Sequence, residues 1–255
     1  MARDRGILVV FDLVSTLADA GPRYVQAFAD VLESRGLAVP PVADVAALLG
    51  NKNLSDITDQ FAGPLPPDEK KAFMADCNAA CDALLNRPGW REELFPNVRE
   101  AIETMHLRGF TLGIYTGTRE DALAAQLNYH HLGGMFDTRY MRGKDNTRDA
   151  NLKSEALKVG QLGSIVEAFN REQGKNAAGI IVIGDSAADV QAAASLGLHF
   201  VGFASDDKKS QQMQDAGAQS IVRDFGDLPD LVQRLLRPAA NDAATKPSPG
   251  RKLAP

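Results

Sequence analysis

The segment Ile7-Leu8-Val9-Val10-Phe11-Asp12 places a carboxylate at the end of a short apolar run, and no other stretch restricts the fold as much. A run with no polar alternation suits a strand buried on both faces, as in a parallel sheet held between helices. The following residues, Leu13-Val14-Ser15-Thr16-Leu17, supply turn chemistry through Ser15 and Thr16. The aspartate is thereby delivered to the carboxyl edge of a sheet, where open α/β proteins carry out their chemistry.

Two further apolar runs end the same way. Residues 110–115 lead into Thr116-Gly117-Thr118, and residues 180–183 lead into Gly184-Asp185-Ser186. Shorter strand patterns occupy 200–203 and 220–222. Helical spacing separates them: Val98, Ile102 and Met105 up to Gly109, then 121–129, 154–169, 187–196 and 228–236. Strands alternating with helices imply right-handed crossovers and one parallel sheet. The stretch 142–151 reads as loop.

Residues 18–95 break the alternation. Tyr24, Phe28, Val31, Leu32 and Arg35 share one helical face before the stop at Gly36, and 42–49, 54–61 and 68–85 also read as helix. Gly63-Pro64 and Pro66-Pro67 punctuate them, and no convincing strand is present. The expected organisation is an α/β core of residues 1–17 and 96–237, with 18–95 inserted as an all-helical domain. The tail from Pro238 to Pro255, rich in Ala, Pro and charge without periodicity, is expected to be disordered.

Bulk properties narrow the partners. The 255 residues carry a net charge of -5, and with no basic stripe this argues against nucleic acid or an anionic membrane surface. No apolar stretch reaches the length of a bilayer span, and Asp12 interrupts the first run before it can serve as a signal peptide. A cytoplasmic protein acting on a small metabolite, as a monomer or homodimer, is the expectation. Cys77 and Cys81 share a helical stripe with Phe73 and Leu84 and read as buried free thiols. His106, His130, His131 and His199 show no metal-ligand spacing.

From Phe11 onward the first run resembles the opening motif of the haloacid dehalogenase (HAD) superfamily, Asp-x-Asp-Gly/Ser-Thr-Leu. Gly184-Asp185-Ser186-Ala187-Ala188-Asp189 resembles its fourth, Gly-Asp-x-x-x-Asp. The layout is similar too: a Rossmann-like parallel core with a helical cap inserted after the first motif, and Phe95-Pro96-Asn97-Val98 where relatives return from cap to core. The resemblance implies a hydrolase in which Asp12 is the nucleophile and forms an aspartyl-phosphate. It implies Mg2+ as cofactor, with Asp12, Val14, Asp185 and Asp189 at the metal positions; Asp185 at a strand end and Asp189 on the next helical turn can face one crevice, and hard oxygens suit that ion.

The same resemblance makes Thr116 the second-motif hydroxyl, which with the Gly117 amide would hold phosphate oxygens. The third-motif lysine is assigned to Lys153 at the start of a helix, with Lys144 and Lys175 competing. Leu49-Gly50-Asn51-Lys52-Asn53-Leu54 falls where related caps read the substrate, which makes Asn51 and Lys52 candidate substrate contacts. Lys52 could bind an anionic group or donate a proton, and a plain solvated charge weighs at least as much as those two readings together.

Val14 departs from the family pattern. It occupies the position of the second aspartate, the usual general acid/base, and a positioned acid/base is worth roughly 10²–10⁴ in rate. Branches that lack this carboxylate include phosphonoacetaldehyde hydrolases, whose cap lysine forms a Schiff base, and Lys52 lies near the corresponding loop. Three readings therefore stand: a Mg2+-dependent hydrolase of a small phosphorylated metabolite, a hydrolase of a carbon–phosphorus bond in a phosphonate, and a catalytically weak HAD-fold protein that binds a phosphorylated ligand.

Overall fold

The computed structural model describes residues 6–45, 54–85, 87, 90–145, 149, 152, 154–174 and 179–236. Six strands form one sheet: β1 (Ile7–Asp12), β2 (Thr111–Arg119), β3 (Met141–Lys144), β4 (Gly179–Gly184), β5 (His199–Phe203) and β6 (Ile221–Val222). Their spatial order is β3-β2-β1-β4-β5-β6, and every pairing is parallel. The chain builds outward from β1 to one side and then crosses back to its other side. The order thus reverses between β1 and β4, and such a switch point opens a crevice at the carboxyl ends of the strands.

Nine helices accompany the sheet among the described residues: α1 (Gly21–Ser34), α2 (Leu54–Ala62), α3 (Pro67–Leu85), α4 (Val98–Leu107), α5 (Glu120–Tyr129), α6 (Ser154–Gln173), α7 (Ala187–Ser195), α8 (Asp207–Asp215) and α9 (Leu228–Leu235). Residues 42–45 are also helical.

All six residues of β1 are buried. Their alternation sends Ile7, Val9 and Phe11 into a core with residues of α4, α5 and α9, while Leu8 and Val10 pack with Leu162, Ile165 and Phe169 of α6 and Ala192 and Ala193 of α7. The period of two places Asp12 on the α6/α7 face. Its companions in the site are therefore drawn from those two helices.

Residues 18–95 leave and re-enter the sheet region through a paired stem. Ala18 bridges antiparallel to Leu94, the Asp19 amide donates to the Glu93 carbonyl at 2.8 Å, and the Phe95 amide donates to the Leu17 carbonyl at 3.0 Å. Between these ends the helices build a core of their own from Val25, Phe28, Val31, Leu32, Ile57, Phe73 and Cys77. Phe28 meets Phe73 edge-on with centroids 5.5 Å apart. Cys77 and Cys81 are buried free thiols.

Some expectations need correction. The stretch read as loop from 142 contains β3, a short edge strand whose sequence, Met-Arg-Gly-Lys, carries no apolar run. Gly143 belongs there because a Cβ would lie 2.7 Å from the Glu120 amide nitrogen. Helix α8 was not expected, since only Met213 is buried on it, and the Asp206 side chain that caps it is the one local signal. On α1 the expected face is buried at Phe28, Val31 and Leu32, but Tyr24 is 39% exposed, Arg35 is exposed, and Arg23 is buried, only 4% exposed. Arg23 is buried because Glu92, itself buried, accepts from its Nε at 2.6 Å.

Among the described residues no helix is long and apolar enough to cross a membrane. The expected tail, 238–255, lies outside the described residues.

Candidate active site

Asp12 ends β1, and Thr116 follows its partner Tyr115 on β2. Asp185 follows the last residue of β4, and Asp189 stands in the first turn of α7. Because the strands are parallel, these residues converge at the carboxyl edge, at the switch point between β1 and β4. Asp12, Asp185 and Asp189 are all buried, and one oxygen of each lies within 4.8 Å of the others.

One lysine organises the group. Lys158, in the second turn of α6, donates to Asp12 Oδ2 at 2.9 Å and to Asp189 Oδ1 at 2.6 Å. The same Asp189 oxygen accepts from the Tyr115 hydroxyl at 2.7 Å. Its other oxygen accepts from the Ser186 amide at 3.1 Å and the Ser186 hydroxyl at 2.5 Å, in a capping box that starts α7. Asp12 Oδ1 accepts from the Leu13 amide at 2.7 Å. Asp185 accepts from the Thr16 hydroxyl at 3.1 Å and from Lys209 of α8 at 2.5 Å.

This packing of charge shifts protonation. Burial, reinforced by repulsion from Asp189 and Asp185, pushes the Asp12 carboxyl up to about 7 although Lys158 pulls it down. Asp185 is raised by burial as well, against the pull of Lys209. For Lys158, burial works to release the proton, but the attraction of Asp12 and Asp189 outweighs it and holds the ammonium charged. The Tyr115 phenol is raised well above its ordinary value by burial and by the neighbouring Asp189, so it stays a donor.

A cavity of about 330 Å³ opens onto Asp12 and Asp185. Gly117, Thr118 and Lys158 form part of its wall, and Arg23 and Tyr24 of α1 with Asp82 and Leu85 of α3 form another part. Thr118 Oγ1 is buried there and has no hydrogen-bond partner among the described residues. A larger cavity, about 880 Å³, lies at the opposite edge of the sheet beside Gly6, Thr111 and Leu112. Its charged residues Asp137, Arg139 and Glu172 already pair with one another, and no metal-type cluster lies there among the described residues.

The structure brings Asp12, Asp185 and Asp189 together. Val14 lines the cavity but offers no side-chain ligand atom. Thr116 is fully buried behind the wall, its Oγ1 accepting from the Thr118 amide at 3.2 Å, whereas Gly117 reaches the cavity. Ser15 has a φ of 59°, a left-handed turn that costs a non-glycine residue about 1–2 kcal/mol. Asn51, Lys52, Lys153 and Lys175 lie outside the described residues. Lys144 ends β3, and among the described residues the lysines paired with the carboxylates are Lys158 and Lys209.

The lysine on the carboxylates is thus Lys158, which the sequence reading passed over, as it did Thr118, Tyr115, Arg23 and Lys209. A signal for Lys158 was present, since it shares the apolar stripe of Leu162, Ile165 and Phe169 on α6. A cation on a core-facing stripe needs a buried anion.

Comparison with known proteins adds an independent line. The sequence profile of the haloacid dehalogenase-like hydrolase family matches residues 8–197. A phosphoglycolate phosphatase of Pseudomonas fluorescens (strain Pf0-1) is 24% identical over 245 residues, spanning 94% of this chain and 85% of that protein. One from Cereibacter sphaeroides (strain ATCC 17029 / ATH 2.4.9) is 25% identical over 235 residues, 89% of this chain and 98% of its own. Among solved structures, a predicted phosphoglycolate phosphatase from Haemophilus somnus 129PT superposes with a TM-score of 0.61 at 22% identity, covering 91% of this chain and 100% of that one. A predicted phosphatase from Clostridium acetobutylicum gives 0.60 at 17% identity, covering 89% and 98%.

Gly184 tests how tightly the cluster is built. A Cβ there would lie 2.5 Å from Asp189 Cγ and 2.6 Å from its Cβ, and Asp189 is held too firmly to move aside. Gly184→Ala is expected to lower stability in urea by about 1–3 kcal/mol, the usual cost of overpacking. Gly160→Ala, on the exposed side of α6 with nothing within 4 Å, is expected to raise it by up to about 1 kcal/mol. Equal midpoints for Gly184→Ala and wild type would show that Asp189 is not clamped.

Proposed function

Because the chain belongs to the haloacid dehalogenase-like hydrolase family, we propose that it hydrolyses a small phosphate monoester through an aspartyl-phosphate on Asp12, with Mg2+ bound at the three carboxylates. The observation that carries this reading is the buried Asp12 carboxylate, gripped by Lys158 with Asp185 and Asp189 alongside. The relatives named as phosphoglycolate phosphatases support phosphoglycolate as the first substrate to try.

In this reading Asp12 attacks phosphorus in line with the departing ester oxygen, which leaves as alkoxide and takes its proton from solvent water. Water then attacks the phosphorus of the acyl phosphate, returning Asp12 and releasing phosphate. Lys158 offsets charge on Asp12 and on the arriving phosphoryl group, and its second anchor on Asp189 keeps the ammonium aimed. The Gly117 amide at the cavity wall donates to a phosphoryl oxygen, with the Thr116 hydroxyl bracing the turn that presents it.

The donor set fits Mg2+. Three carboxylates within 4.8 Å of one another offer the hard oxygens this ion takes, and two lysines alone leave the cluster negative before a phosphate arrives. Asp12, Asp185 and Asp189 would hold the ion, with the Val14 carbonyl as the one ligand atom that residue can offer. Bound there, it supplies charge neutralisation for the phosphoryl group.

Residues 18–95 act as the cap in this proposal. They enter and leave through the paired stem, and α1 and α3 contribute to the cavity wall. The carbon–phosphorus alternative is not favoured, because the named relatives are phosphoglycolate phosphatases.

Purified protein with Mg2+ is expected to release phosphate from 2-phosphoglycolate, and Asp12→Asn is expected to abolish release while circular dichroism stays unchanged, since an amide is a poor nucleophile. Retention of most activity in that variant would contradict the aspartyl-phosphate route.

Val14 yields a separate expectation. Val14→Asp restores an acid/base beside Asp12 and is expected to raise turnover of an alkyl phosphate, with a ceiling of roughly 10²–10⁴-fold. Unchanged rates in that variant, at ordinary phosphatase speed, would show that another group already carries the proton.

A further inference from the structure

Among the described residues lining the active-site cavity, Arg23 and Lys158 are the only cations. Lys158 is committed to Asp12 and Asp189. Arg23, near the start of α1, has a side chain only 5% exposed. Its Nε donates to Glu92 Oε1 at 2.6 Å, and the guanidinium lies over the Tyr24 ring, 5.3 Å from the centroid. These contacts fix the group's orientation while using few of its donors. The terminal nitrogens have no hydrogen-bond partner among the described residues, and they are not sealed from the cavity as fully buried orphan atoms would be.

We propose that Arg23 is a specificity-determining residue whose terminal nitrogens receive a carboxylate carried by the phosphate ester, so that one end of the substrate lies at Asp12 and its acid end lies on α1. The proposal rests on the phosphatase reading of the Asp12 site. A guanidinium fork matches a carboxylate in two parallel hydrogen bonds, and Glu92 leaves that fork free by engaging Nε alone. A cavity of about 330 Å³ is at the small end for ligand sites, which suits a substrate short enough to touch both ends. Because Arg23 belongs to the helical segment and Asp12 to the sheet, such a substrate also links the two.

Replacing Arg23 alone strands a buried Glu92, so the informative variant is Arg23→Gln combined with Glu92→Gln, with Glu92→Gln alone as control. Binding to each is measured by calorimetry with Mg2+ in an Asp12→Asn background, using 2-phosphoglycolate, ethyl phosphate and ethylene glycol bisphosphate, after thermal melts establish folding. The double variant is expected to lose affinity for 2-phosphoglycolate by at least about tenfold more than for ethyl phosphate, a difference equivalent to one pair of charge-assisted bonds. Glu92→Gln alone is expected to keep the preference.

Equal losses for both esters, or an equal loss of preference in Glu92→Gln, would reduce Arg23 to a structural tie between α1 and the returning segment. Preference for the bisphosphate over 2-phosphoglycolate in the parent would overturn the carboxylate assignment. If the protein with Asp12 intact releases no phosphate from either ester while the Arg23-dependent preference in binding persists, the phosphatase reading fails and the Arg23 subsite stands.

Discussion

Lys158 holds the site together. Its ammonium joins Asp12 on β1 to Asp189 on α7, and it opposes the burial that pushes the Asp12 carboxyl up. Removing one partner of a buried ion pair costs about 3–5 kcal/mol, far more than a surface pair contributes. The fold has therefore committed stability to bringing three acids and a base to one sheet edge. That edge lies at the reversal of strand order between β1 and β4, and the alternation of β1 puts Asp12 on the face that α6 covers.

The surroundings show the same economy. Tyr115 gives its hydroxyl to Asp189, Ser186 caps α7 while fixing the other Asp189 oxygen, and Thr16 and Lys209 share Asp185. Gly184 leaves room for Asp189 because a side chain there would collide with it. On the far side of the cavity the buried Arg23–Glu92 pair joins α1 to the segment that re-enters the core. In the proposed reading the nucleophile Asp12 comes from the sheet edge, and Arg23, which meets the rest of the substrate, comes from the inserted helices.

Much of this was legible in the sequence because it rests on strong local signals. Asp12 ends an apolar run with a turn after it, and Asp185 and Asp189 flank a strand-to-helix junction, so periodicity and turn chemistry place them without knowledge of contacts. Lys158 was missed because the expected lysine was sought at the helix start, at Lys153, while the working one lies a turn further along on a stripe otherwise filled by Leu162, Ile165 and Phe169. Strand β3 and helix α8 were missed for the opposite reason: both are polar, and they are held by pairing and capping that no hydrophobic pattern reveals. Arg23 went unnoticed because its burial depends on Glu92, distant in sequence and adjacent only in the fold.

In the proposed mechanism Val14 lines the cavity where a carboxylate would serve both departure of the ester oxygen and water attack on the acyl phosphate. The most direct measurement is an acid-quenched single turnover with radiolabelled 2-phosphoglycolate, followed by peptide mapping of the protein-bound label. The account predicts a transient in which phosphoryl label builds up on the peptide containing Asp12 before free phosphate appears. Phosphate released with no covalent label at any time, or label mapped to another residue, would contradict Asp12 as the nucleophile.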